Sequence, residues 1–202
     1  MTDSRRVVLA TGNAGKLREL SALLAPHGLT LLRQTELGVD SVEETGETFE
    51  ANALLKARHA ARVTGLPALA DDSGIEVDAL GGRPGVRSAR FAGDTATDDA
   101  NLKRLLKCLG DTPESARTAR YRAVIVMVHD ADDPQPVIAH GAWEGAITRI
   151  PRGTGGFGYD PIFLPAGSTL TAAEMTADAK NAVSHRAQAL RDLIARRPWA
   201  RR

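Results

Sequence analysis

Two pairs of adjacent carboxylates, Glu43-Glu44 and Asp71-Asp72, and two glycine-bearing loops are the parts of this sequence with the most to say about chemistry. The first loop, Thr11-Gly12-Asn13-Ala14-Gly15-Lys16, follows a short apolar run and precedes a leucine-rich one. At a strand-to-helix junction, free backbone N–H groups and the helix dipole favour an anion, and Lys16 adds a fixed positive charge; the loop reads either as a phosphate site or as a plain turn. It is not a Walker A loop, because the glycine spacing differs and Leu17 stands where a metal-binding hydroxyl is needed. Phosphate bound without that hydroxyl leaves magnesium to find oxygen ligands elsewhere, and the two acid pairs offer them. Asp71-Asp72 directly follow an apolar run and precede Ser73-Gly74. Adjacent strand residues point to opposite faces, so one aspartate can face a site while the other caps or supports it. Glu43-Glu44, taken singly, reads as solvated acids beside a turn.

The second loop, Gly153-Thr154-Gly155-Gly156-Phe157-Gly158, is either another backbone cradle or a set of tight turns. Phe157 and Tyr159 flank Gly158 and offer a face for stacking a base or, equally, two core aromatics. Lys56, Lys180, His185 and Arg186 each read by default as surface charge, with a phosphate contact open to Lys56. Lys180, Ser184 and Arg186 share a helical face with His185 only if a helix begins between them. The single cysteine, Cys108, sits in an amphipathic run and reads as a packing residue. There is no His-Glu-x-x-His, no Cys-x-x-Cys, no Gly-x-Ser-x-Gly and no Gly-x-Gly-x-x-Gly after the first strand, which leaves hydrolytic phosphate chemistry.

These residues need elements to hold them. Residues 7–10 read as a buried strand, 11–16 as a loop and 17–24 as a helix with leucines at 17, 20, 23 and 24. A second helix is predicted over 49–63, with Thr48 as N-cap and Gly65 as its end, and 66–70 then lead as a strand into the acid pair. A third helix covers 98–109. Residues 118–129 and 137–148 form a hairpin across the turn-rich 130–136; a strand at 161–164 and an amphipathic helix to about 196 complete the chain. Strands alternating with helices make this an α/β fold, a mixed sheet flanked by helices.

At 202 residues the chain suits one domain. Lys and Arg number 26 against 25 Asp and Glu and aromatics are only 4%, so neither nucleic acid nor membrane is an expected partner, and the basic stretch 196–202 reads as a solvated end. The first apolar run is too short for a signal-peptide core, which leads to an expected intracellular location.

Taken together and in order, residues 10–16, Glu43-Glu44-Thr45-Gly46-Glu47-Thr48-Phe49, Ala70-Asp71-Asp72-Ser73-Gly74, residues 153–161 and Ser184-His185-Arg186 closely resemble the inosine/xanthosine triphosphate pyrophosphatase family, over about 7–193. The resemblance implies an elongated mixed sheet in two α/β lobes with a central nucleotide-binding cleft, and a cytoplasmic homodimer. It implies hydrolysis of dITP, ITP and XTP to the monophosphate and pyrophosphate with Mg2+, clearing deaminated purines from the nucleotide pool. It casts Thr11, Gly12, Asn13, Ala14, Gly15, Lys16 and Lys56 as triphosphate contacts, and Glu43 and Asp72 as magnesium ligands. It also casts Asp72 as the proton acceptor for the attacking water, Ser73 as a substrate contact, and Phe157, Gly158, Tyr159, Asp160, Lys180, His185 and Arg186 as the nucleoside pocket. Two alternatives stand beside this reading: a Maf-like nucleotide pyrophosphatase with another base preference, and a non-catalytic nucleotide sensor.

Overall fold

A computed structural model describes residues 5–196 and Trp199; apart from Arg196 and Trp199, the basic tail read as a solvated end lies outside the described residues. The strands are β1 (Arg5–Leu9), β2 (Leu29–Arg33), β3 (Ala68–Val77), β4 (Thr118–Val128), β5 (Val137–Ile147) and β6 (Phe163–Pro165). The helices are α1 (Ala14–Leu24), α2 (Phe49–Thr64), α3 (Asp98–Leu109), α4 (Ala177–Val183) and α5 (His185–Ala195). The strands form one sheet in the order β2-β1-β3-β4-β5-β6. β1 runs parallel to both β2 and β3, and β5 antiparallel to β6, so the sheet is mixed and open, the α/β class expected.

Local signals set most boundaries. Thr48 caps α2 by accepting from the Ala51 N–H, and Gly65 closes it in a left-handed conformation, as its sequence predicts. Four expectations need correction. α1 starts at Ala14, three residues ahead of the expected Leu17, because the Asn13 side chain caps it. β2 was not expected; it is five residues long, with Leu29 as its one buried residue, so it carries little periodic signal. β3 does not stop at Ala70 but runs through the acid pair to Val77. The last helix is two helices, broken at Ser184, whose backbone is extended.

Two compact units make up the described chain, with boundaries falling between Asp72 and Ser73 within β3 and between His185 and Arg186. The first comprises the residues up to Asp72, Ala123–Gly141 and those from Arg186 onward; the second comprises Ser73–Arg122 and Ala142–His185. The first unit's core joins Val7 and Leu9 of β1, Leu20 and Leu24 of α1, Leu69 of β3, Ile125 of β4, and Leu190 and Leu193 of α5. Each such leucine contributes about 2 kcal/mol by leaving water. In the second unit Ile75 and Val77, Leu102, Leu105 and Leu109 of α3, Tyr121, Trp143 and Phe163 pack together. Cys108 takes no part: it is exposed on α3 while its neighbour Leu109 is buried, so the expectation that it packs is wrong. Among the described residues, no helix is long and apolar enough to cross a membrane.

Candidate active site

In the first unit, the loop after β1 is shaped by its own side chains. The Asn13 N–H donates to Thr11 Oγ1 (3.1 Å), and Asn13 Oδ1 accepts from the N–H groups of Gly15 (2.8 Å) and Lys16 (3.0 Å). Two of the four N–H groups orphaned at this helix end are therefore satisfied from within. Gly12 lies in open space, where even a Cβ would meet nothing within 4 Å. Lys16, in the first turn of α1, sends its ammonium to Asp71 Oδ2 at 2.7 Å. Burial lowers the Lys16 pKa, with Asp71 opposing that shift.

Asp71 and Asp72 are both buried, at 1% and 5% exposure. Their carboxylates serve different cations, as strand alternation demands. Asp71 meets Lys16 and also Arg186, whose Nε lies 3.3 Å away and whose Nη1 donates to Glu19 Oε2 at 2.8 Å. Burial acts to raise the Asp71 carboxyl, but Lys16 and Arg186 overturn this and hold it well below the usual carboxylate range. Lys56 of α2 bridges Asp72 Oδ1 and Glu44 Oε1, each at 2.7 Å, and also donates to the Asp71 carbonyl at 3.1 Å. Burial alone would lower the Lys56 pKa; Asp72 and then Glu44 outweigh it and keep the ammonium charged. Burial pushes the Asp72 carboxyl up, against the pull of Lys56 and Lys16.

Asp72 Oδ2 is buried with no hydrogen-bond partner, an orphaned anionic oxygen that a cation would satisfy. No cluster of three or more acids, histidines or cysteines that could hold a metal exists among the described residues. The orphaned Asp72 oxygen fits an ion such as Mg2+, which takes one or two carboxylates and completes its shell from water and phosphate oxygens. Glu43 is exposed beside Glu44, the acid that engages Lys56.

In the second unit, the glycine loop turns around Asp160. Gly156 has φ +71°, and a Cβ there would collide with the Asp160 carboxylate, so both backbone and space require glycine. Asp160 Oδ2 accepts from the Phe157 N–H (2.9 Å) and from Lys180 Nζ (2.6 Å), and Oδ1 accepts from the Tyr121 hydroxyl (3.2 Å). The Lys180 ammonium also sits 4.8 Å from the centre of the Phe157 ring, a cation–π contact. The Gly158 N–H donates to Asp98 Oδ2 at 2.7 Å, which ties the loop to the first turn of α3. Of the two aromatics weighed for stacking, Phe157 is half-buried, whereas Tyr159 is in the core with its hydroxyl donating to the Ser88 carbonyl at 2.7 Å. Burial raises the Tyr159 pKa, so the hydroxyl stays a donor. The His185 ring stacks on Tyr121, centroids 4.7 Å apart and planes within 7°.

The default reading of Lys56, Lys180, His185 and Arg186 as surface charge is overturned. Lys180, His185 and Arg186 are 2 to 5% exposed, and Lys56 is enclosed by its two carboxylates. The expected sites thus group in two. Thr11 to Lys16, Glu43, Lys56, Asp72 and Arg186 stand in the first unit; Ser73, Phe157 to Asp160, Lys180 and His185 stand in the second. Sequence reasoning missed Glu19, Asp98 and Tyr121. Glu19 is an unremarkable polar position on α1 and Asp98 an ordinary first-turn acid. Tyr121 could be placed inward by strand alternation, but nothing in the sequence names its partners.

Comparison with known proteins shows the family. A sequence profile of the Ham1 family matches residues 7–196. The dITP/XTP pyrophosphatase of Shigella flexneri is 60% identical over 190 residues, 94% of this chain and 96% of that protein. The dITP/XTP pyrophosphatase of Escherichia coli strain K12 is 58% identical over the same shares of each chain. A solved HAM1 protein from Coxiella burnetii superposes with a TM-score of 0.90 at 48% identity, covering 97% of this chain and 100% of that one. Family profile, near-full-length identity and shared fold together place this chain in the Ham1 family.

Proposed function

We propose that this chain hydrolyses deaminated purine nucleoside triphosphates, dITP, ITP and XTP, to the monophosphate and pyrophosphate, and so clears them from the nucleotide pool. The observation that carries the chemistry is the buried Asp72, with one carboxylate oxygen held by Lys56 and the other without a hydrogen-bond partner. Its relatives of 58 to 60% identity carry the name dITP/XTP pyrophosphatase.

In this reading Lys16, Lys56 and the backbone of the loop from Thr11 through Gly12, Asn13, Ala14 and Gly15 bind the triphosphate. Asp72 and Glu43 hold Mg2+, which when bound neutralises phosphate charge and acidifies water. Asp72 also accepts the proton of the water that attacks the α-phosphorus, as general base. The lysines stabilise pyrophosphate as it leaves. Ser73 contacts substrate, and Phe157, Gly158, Tyr159, Asp160, Lys180, His185 and Arg186 shape the nucleoside pocket. A Lys or Arg cation can only donate, so it accepts the O6 of hypoxanthine or xanthine and opposes the 6-amino group of adenine. The working form in this reading is a cytoplasmic homodimer, as the resemblance implies.

The test is Mg2+-dependent pyrophosphate release by the purified chain from dITP and XTP, beside dATP, dGTP and dTTP, with the monophosphate identified as co-product. Fast release from dITP and XTP alone supports the reading. Orthophosphate release, a pyrimidine preference, or binding without turnover would replace it by a phosphatase, a Maf-like enzyme or a sensor respectively.

A further inference from the structure

One side chain outside every motif joins two parts of the second unit's cluster. Tyr121, near the start of β4 and 7% exposed, donates its hydroxyl to Asp160 Oδ1 and lies flat against His185. Its ring is fixed in turn by an edge-on contact with Phe163, centroids 4.7 Å apart at 65°. We propose that Tyr121 is a positioning residue for base selection, holding the Lys180 ammonium and the His185 ring in a set relation through Asp160 and through the stack. The proposal rests on the reading that Lys180 and His185 receive the base.

The physical case is about freedom. A lysine ammonium ends a four-carbon stem and goes where its partner holds it. Here that partner is Asp160 Oδ2, which is shared with the Phe157 N–H. A carboxylate rotates readily about its last torsion, since that well is broad. The Tyr121 hydroxyl on Oδ1 fixes the carboxylate plane, and with it the direction in which Oδ2 presents Lys180. The same ring closes one face of His185, so the imidazole cannot tilt without losing the stack. A donor aimed at O6 discriminates only while it stays where O6 will be, and a displacement of about 1 Å is enough to lose that.

The test uses the full chain with Tyr121→Phe, which keeps the stack and removes the hydroxyl, and Tyr121→Leu, which removes both. Steady-state rates are measured on dITP and dATP, with thermal melting of each variant alongside. For Tyr121→Phe, KM for dITP should rise about 3- to 10-fold with kcat nearly unchanged, beside a lower melting temperature because a buried Asp160 oxygen loses its donor. The dITP to dATP ratio of kcat/KM should fall by a similar factor. Tyr121→Leu should lose about tenfold more of that ratio by losing the aromatic contact. An unchanged KM and ratio in Tyr121→Phe, beside a discriminating unsubstituted chain, overturns the proposal, as does a loss confined to kcat and melting temperature. An unsubstituted chain that does not distinguish dITP from dATP sinks the base-pocket reading itself, and this proposal with it.

Discussion

Asp71 and Asp72, consecutive on β3, hold different lysines: Asp71 Oδ2 lies 2.7 Å from Lys16 and Asp72 Oδ1 lies 2.7 Å from Lys56. The alternation of the strand separates two tasks that the sequence writes side by side. Asp71 ties α1 and Arg186 to the sheet, and Asp72 presents an oxygen that the protein leaves unbonded. Asp72→Asn should therefore lower kcat by about a hundred- to ten-thousandfold, the usual range for a general base, with little change in melting temperature. Asp71→Asn should instead cost about 3 kcal/mol of stability, because it leaves Lys16 and Arg186 buried beside a neutral group. Urea unfolding and steady-state kinetics on both variants check this; equal stability loss in the two would show that the tasks are not divided.

Gly156→Ala should damage the second unit. Its backbone has φ +71°, and the added methyl overlaps the Asp160 carboxylate that holds Lys180 and Phe157. The expected cost is about 1 to 3 kcal/mol from strain and overpacking, with a rise in KM for dITP. Gly12→Ala, where a Cβ meets nothing, is the matched control and should keep full stability.

Arg117→Met should destabilise the chain although it keeps the bulk. Arg117 is 2% exposed and donates to the carbonyls of Ile147 (2.8 Å) and Thr148 (3.3 Å). Methionine leaves the buried Ile147 carbonyl and the half-buried Thr148 carbonyl without that donor, which costs about 1 to 3 kcal/mol. A urea midpoint equal to that of the unsubstituted chain would count against the role.

Asp78 gives a pH signature. Hydrogen bonds from Arg120 and then Thr118 lower its carboxyl pKa. The folded chain keeps this group ionised at pH values where the unfolded chain protonates it. Its contribution is thus complete above the unfolded pKa of about 4 and is lost as the pH falls below that. Because the group is exposed, the effect should stay under about 1 kcal/mol. Asp78→Asn should lower the urea midpoint at pH 7, and the difference from the unsubstituted chain should shrink steadily as the pH falls below about 4.

The sequence by itself determined the elements whose signals are local. The Thr48 cap and Gly65 stop of α2, the amphipathic spacing of α3 and the apolar run of β1 all act within a few residues, so they could be read before any fold was known. The ordered motifs also pointed to the family on residues alone. Only the tertiary structure decided what lies far apart in the chain. It took Arg186 into the first unit on Asp71 and Glu19, while its neighbour His185 went to the second on Tyr121. It made enclosed ion-pair partners of Lys56 and Lys180, which composition presents as solvated charge. It put Cys108 outside and Tyr159 inside. The physical reason is range: capping and periodicity are properties of adjacent residues, whereas desolvation of a charge and the pairing that compensates it depend on which distant segments meet.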